Sequence, residues 1–80
     1  MKHIGLSFGG HPVFQSGNSF YELISSHNLK SRASERKTWL KEKEGTNTKV
    51  MKHQGRWCVF MKMGIARTRM VKEAISRRNK

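Results

Sequence analysis

Ile4, Leu6 and Phe8 alternate with His3, Gly5 and Ser7, the period-two pattern of a strand with one buried face. Gly9-Gly10-His11-Pro12 breaks that pattern, and Val13-Phe14 can return as the second strand of a hairpin. After the loop Ser16-Gly17-Asn18, the quartet Ser19-Phe20-Tyr21-Glu22 has the form of a capping box. The Ser19 hydroxyl can accept from the Glu22 amide, and the Glu22 carboxylate can reach back. Phe20, Leu23, Ile24 and His27 follow at helical spacing, which predicts a helix over 20–28. Ser31 can cap a second helix over 32–44, with Gly45 as its stop. That segment is rich in helix formers, but its apolar residues are only Ala33, Trp39 and Leu40. Packing is therefore expected to hold it weakly, as a solvated arm or one that orders on a partner.

The clearest hairpin follows Thr46-Asn47. Its strands run over 48–53 and 56–63 around a turn at Gln54-Gly55. A two-residue turn pairs His53 with Arg56, Met51 with Cys58, and Lys49 with Phe60. One face then carries Val50, Trp57, Val59 and Met61, and the other Lys49, Met51, His53, Arg56, Cys58 and Phe60. Gly64 ends the strand. Ala66, Met70, Val71, Ala74 and Ile75 recur at helical spacing and predict an amphipathic helix over 65–77. The expected fold is α+β, one small basic domain over 1–80. An antiparallel sheet, made of an N-terminal strand or hairpin and the hairpin 48–63, is packed by helices near 20–28 and 65–77. A polar basic helix lies near 32–44.

Charge changes this picture from a fold to a surface. Seventeen Lys and Arg face five Glu, Asp is absent, and the net charge is +12. Residues 1–29 hold only Lys2 and Glu22, so residues 30–80 carry the entire excess. Such an imbalance opposes folding by self-repulsion unless a polyanion offsets it, and nucleic acid is the commonest polyanion. Expected phosphate contacts are Lys49, Lys52, His53, Arg56 and Lys62 on the hairpin, with Arg67, Arg69, Lys72, Arg77 and Arg78 on the last helix. Arg77 and Arg78 serve equally well as partners of the negative end of the helix dipole. Trp57 shares a face with apolar residues, so it either packs in the core or stacks on a base. Trp39, among Arg36, Lys37, Lys41 and Lys43, either docks its helix or inserts into a partner.

Catalytic chemistry finds little to work with. His3, His11, His27 and His53 are scattered, Cys58 is the single cysteine, and no metal-ligand spacing occurs, so no metal or cofactor is expected. Without Asp, a two-metal nuclease centre lacks its carboxylates. Gly9-Gly10 is too short for a phosphate loop, and no serine elbow is present. A metal-independent ribonuclease using His53 beside Lys52 and Arg56 is the one enzyme class left. A lone histidine does not form an acid–base pair, so the chain reads as a binder and not an enzyme. No apolar run approaches the roughly 20 residues of a bilayer span. The first residues do not read as a signal peptide, and the single cysteine suits a reducing compartment, so the expected location is cytoplasmic. Nucleic acid is the first expected partner. A protein in a nucleic-acid machine is the alternative, in the manner of a phage-type inhibitor or ribosome-associated factor, and a homodimer would help so short a chain.

The expected order of helices followed by the basic hairpin at 49–63 resembles winged-helix domains and the excisionase-type architectural proteins of mobile elements. Gly55-Arg56-Trp57 on a hairpin strand ahead of a helix resembles AP2-like integrase DNA-binding domains. Both resemblances imply DNA binding. The chain departs from the first in the few apolar positions of its 32–44 helix, and from the second in lacking a strand between Met63 and the last helix. No family is assigned from them.

Overall fold

Seven elements follow one another: β1 (Lys2–Phe8), β2 (His11–Ser16), β3 (Ser19–His27), α1 (Lys30–Glu44), β4 (Thr48–His53), β5 (Arg56–Lys62) and α2 (Ile65–Arg78). The computed structural model describes residues 1–44 and 47–78. The five strands form one antiparallel sheet in the order β1-β2-β3-β5-β4, and the fold is α+β. Because β5 lies between β3 and β4, those two strands run parallel, and α1 is the crossover that a parallel connection requires.

The helix expected over 20–28 is instead β3, the middle strand. Its backbone pairs with β2 on one side and β5 on the other. Phe20 and Glu22 point to one face, and Tyr21 and Leu23 to the other. A bulge between Leu23 and Ser25 then shifts the register. Ile24 keeps the face of Phe20 and Glu22 and packs with Val59, while the bulge brings His27 opposite Trp57, so apolar residues on both faces and a shifted His27 give a spacing that mimics a helix. The expected capping serine, Ser19, pairs with Ser16 across the tight Gly17-Asn18 turn. With a strand in that place, no helix pair precedes the hairpin, so the winged-helix resemblance fails. The third strand beside the hairpin is β3, contributed from before α1 and not from after Met63.

Helix α1 is also better anchored than its composition suggests. Ala33 and Leu40 are buried and pack on Val59, with Ile24, Val50 and Trp57 around them. It starts at Lys30, so Ser31 sits inside the first turn; the expected stop at Gly45 and the hairpin approach at Thr46 lie outside the described residues. The hairpin has the expected register, His53 opposite Arg56, Met51 opposite Cys58 and Lys49 opposite Phe60. Its turn residues Gln54 and Gly55 both have positive φ, 51° and 77°, the backbone of a type I′ turn.

Both helices cover the same face of the sheet. Val71 and Ile75 of α2 pack on Val13, Phe20 and Met63, with Ile4, Leu6 and Phe8 of β1 beside them. The opposite face has no helix, yet it holds a second buried cluster of Phe14, Tyr21, Cys58 and Phe60. Curl of the sheet provides the cover. The rings of Phe14 on β2 and His53 on β4 lie 5.0 Å apart, although two strands separate them. Neighbouring strands are about 4.8 Å apart, so a flat sheet would hold those backbones roughly 14 Å apart.

Candidate nucleic-acid interface

Strands β1 to β3 contribute one cation and one carboxylate, Lys2 and Glu22. Helix α1 carries six basic and three acidic residues, the β4–β5 hairpin four basic and none acidic, and α2 five basic and one acidic. The fold thus gathers its positive charge on the hairpin and the helical layer.

The best-defined group surrounds Trp57. Lys52 is its cross-strand partner, so both side chains leave the sheet on the helical face. Helix α1 begins on that face and brings Lys30. The two Nζ atoms lie 5.8 Å and 5.3 Å from the indole centroid, within cation–π range. Trp57 is half-buried, neither wholly core nor wholly surface. Lys30 was not among the expected contacts, because only the start of α1 over the hairpin brings it to Trp57.

Arg56 fastens the hairpin end to the chain between β3 and α1. It donates from Nε to Ser26 Oγ (2.6 Å), from Nη1 to Asn28 Oδ1 (2.7 Å) and from Nη2 to the Ser26 carbonyl (3.2 Å). Two of its five N–H groups stay free for a ligand. On the concave face, Lys49 Nζ lies 4.9 Å from the Tyr21 ring and His53 meets Phe14 edge-on. Phe60, which alternates with these cations along the hairpin, is 1% exposed and is core, not a stacking platform.

The cations of α2 divide in the same way. Arg67 is ion-paired with the buried Glu22. Arg78 donates to the Ile4 carbonyl at 2.8 Å and ties the end of α2 to β1. The backbone at Gly5 favours glycine, with φ at +76°, and a Cβ there would stand 3.1 Å from that guanidinium, the end of a flexible side chain. Arg69 and Lys72 join Lys62 around an open cleft of about 440 Å³ that includes Ser19, Ile65 and Thr68. Arg77 is exposed in the last turn. On α1, the Arg36 guanidinium stacks 4.5 Å from the ring of Trp39, which is 44% exposed. Lys37 and Lys41 line a groove with Ser34, Thr38 and Glu42, and Lys43 is exposed beyond them.

The expected contacts therefore fall into distinct sets. Among the described residues, Lys52 with Lys30 at Trp57, the Lys62–Arg69–Lys72 cleft, and Lys37 on α1 present cations without an ion-pair partner. Arg56, Arg67 and Arg78 hold the fold together with some or most of their donors. Among the described residues, no three of His, Cys, Asp and Glu come together as a metal site. No described helix is long and apolar enough to cross a membrane. Compared with protein-family models, curated proteins and solved structures, the chain matches none.

Proposed function

We propose that the protein binds nucleic acid in the cytoplasm, as a regulatory or architectural factor and not an enzyme, through hairpin β4–β5 and the two helices. The observation that carries this reading is the half-buried Trp57 with two ammonium groups over its ring. Two ammonium groups held beside one indole offer paired phosphate contacts at one point, and a base stacks on the ring by displacing one of them. The surrounding charge supplies the affinity: binding releases counterions from the phosphate backbone, independent of sequence. The buried free thiol of Cys58 suits a reducing compartment.

The first test is whether nucleic acid co-purifies with the full chain, read from the ratio of absorbance at 260 and 280 nm and its fall on nuclease treatment. Binding of labelled duplex and single-stranded DNA and RNA at low salt then ranks the targets. Absence of binding to any of them would end this reading. A partner protein is a second reading, favoured by Ile65, 85% exposed at the start of α2, and by the exposed Met70 on the same helix. A protein that stays bound in nuclease-treated lysate and is released by Ile65→Ser would favour it.

A further inference from the structure

The β1–β2 turn, β3 and the first turns of α2 enclose a second cleft, of about 460 Å³, lined by Phe8, Gly9, His11, Glu22, Arg67 and Met70. Its charged groups are unusual for this chain. Glu22 is the only acidic residue of the first three strands, and it is 2% exposed. A buried carboxylate persists as an ion only when paired, and its partner is Arg67 Nη1. The Arg67 side chain is 55% exposed, and among the described residues it makes no other hydrogen bond. One of its five N–H donors is thus held by a fixed internal anchor, and the other four remain for a ligand. A guanidinium aimed in this way has already lost part of the side-chain freedom that binding removes.

His11 is aimed from the other strand. Its Nδ1 lies 3.1 Å from the Leu23 carbonyl oxygen. A carbonyl only accepts, so Nδ1 carries the hydrogen and Nε2 is the nitrogen left for a ligand. Protonated, Nε2 becomes a donor to an anion. Phe8 and the exposed Met70 supply the apolar part of the lining.

We infer that this cleft binds one phosphate group, with Arg67 and protonated His11 as its donors and Glu22 as the residue that aims Arg67. We assign that phosphate to a backbone phosphodiester, the form in which nucleic acid presents phosphate along its length. The source of that phosphodiester rests on the nucleic-acid reading above, but the site's chemistry does not. The cleft's lining shares no residue with the Trp57 group.

The test is an NMR titration of the isotope-labelled full chain at constant ionic strength, repeated at several pH values between about 5 and 8. One arm uses inorganic phosphate; a second uses a trinucleotide without terminal phosphates; a third uses the same trinucleotide with a 5′-phosphate. The His11 ring and the Arg67 Nε–H should shift saturably in all three arms, and in the inorganic-phosphate arm His3, His27 and His53 do not follow. Equal affinity for the two trinucleotides supports the phosphodiester; preference for the 5′-phosphate overturns that assignment. His11→Ala, and Arg67→Lys, which keeps a cation beside Glu22, should each weaken binding about tenfold or more, the usual effect of losing a charged hydrogen bond. If Arg67→Lys fails to fold, His11→Ala carries the test. Shifts that stay linear, or that in the inorganic-phosphate arm appear equally in all four histidines, overturn the site, as does wild-type binding by His11→Ala. Steep salt-dependent nucleic-acid binding with silent cleft resonances refutes this inference and leaves the proposed function standing. Saturable phosphate binding without any nucleic-acid binding does the reverse for the function and removes the assigned source.

Discussion

Leu40→Ala tests how the fold presents its charge. Helix α1 has fifteen residues, six of them basic, and a helix of that length is marginal by itself in water. Its buried residues are Ala33 and Leu40, and Leu40 is the one with a large side chain, 3% exposed against Val59 and its neighbours. Truncating a buried leucine in a tight core costs about 3–5 kcal/mol, and less where the surroundings can settle. Since α1 is held by few buried residues over β3, β5 and β4 and can settle, the expected loss is about 2–3 kcal/mol. At 1.4 kcal/mol per factor of ten, the ratio of undocked to docked helix rises roughly 30- to 150-fold. Native-state amide exchange should show that loss of protection in α1 and much less in β3 and β5, the pattern of a local opening. Nucleic-acid affinity should fall with it, because Lys30, Arg36, Lys37 and Lys41 lose their fixed positions. Leu40→Met, which conserves volume, should cost under about 1.5 kcal/mol and retain binding. Unchanged exchange in α1, or protection lost equally in helix and sheet, would refute the view of α1 as a separately docked carrier of cations.

Three further outcomes are expected. Gln54→Asn should raise stability by about 0.5 kcal/mol in chemical denaturation, because Gln54 holds a left-handed φ of 51° that asparagine tolerates better; a loss would mean that the turn is not type I′. Arg67→Ala should cost about 2 kcal/mol, discounted from a fully buried pair because Arg67 is half exposed, whereas Glu22→Gln should stay within about 1 kcal/mol by keeping an acceptor and removing a buried charge. Equal losses in the two variants, read by thermal unfolding, would contradict that asymmetry. Lys30→Gln with Lys52→Gln should weaken binding to all sequences alike and flatten the log–log salt slope by about 2, and an unchanged slope would take the Trp57 group out of the interface.

The hairpin was legible residue by residue because its two-residue turn fixes the register once the turn is located. Helix α2 was legible because Met70, Val71, Ala74 and Ile75 repeat with one period throughout. Strand β3 was not, since it is apolar on both faces, so Phe20, Leu23 and Ile24 fall at helical spacing, and Ser19 to Glu22 has the form of a capping box. The helix α1 was recognised, but not its anchorage, because a single leucine and an alanine suffice when Val59 and Ile24 lie beneath them. The site was legible as charge and not as geometry. Arg56, Arg67 and Lys52 look alike in a chain of cations, and only the curled sheet and the crossover of α1 separate those that fasten the fold from those left for a ligand. Glu22 carried one usable signal: a solitary acid in a neutral, apolar stretch marks an internal partner for a distant arginine.

The salt dependence of binding by the unmodified chain bears most directly on the account. About five cations, Lys30, Lys52, Lys62, Arg69 and Lys72, face outward in the two best-formed groups. Five phosphate contacts on duplex DNA give a slope near −4.5 in a plot of log affinity against log salt, a loss of roughly 500-fold between 50 and 200 mM. A linear fall of that order is the predicted result. A flat affinity across that range, or no binding to any polyanion at its lower end, would contradict the account.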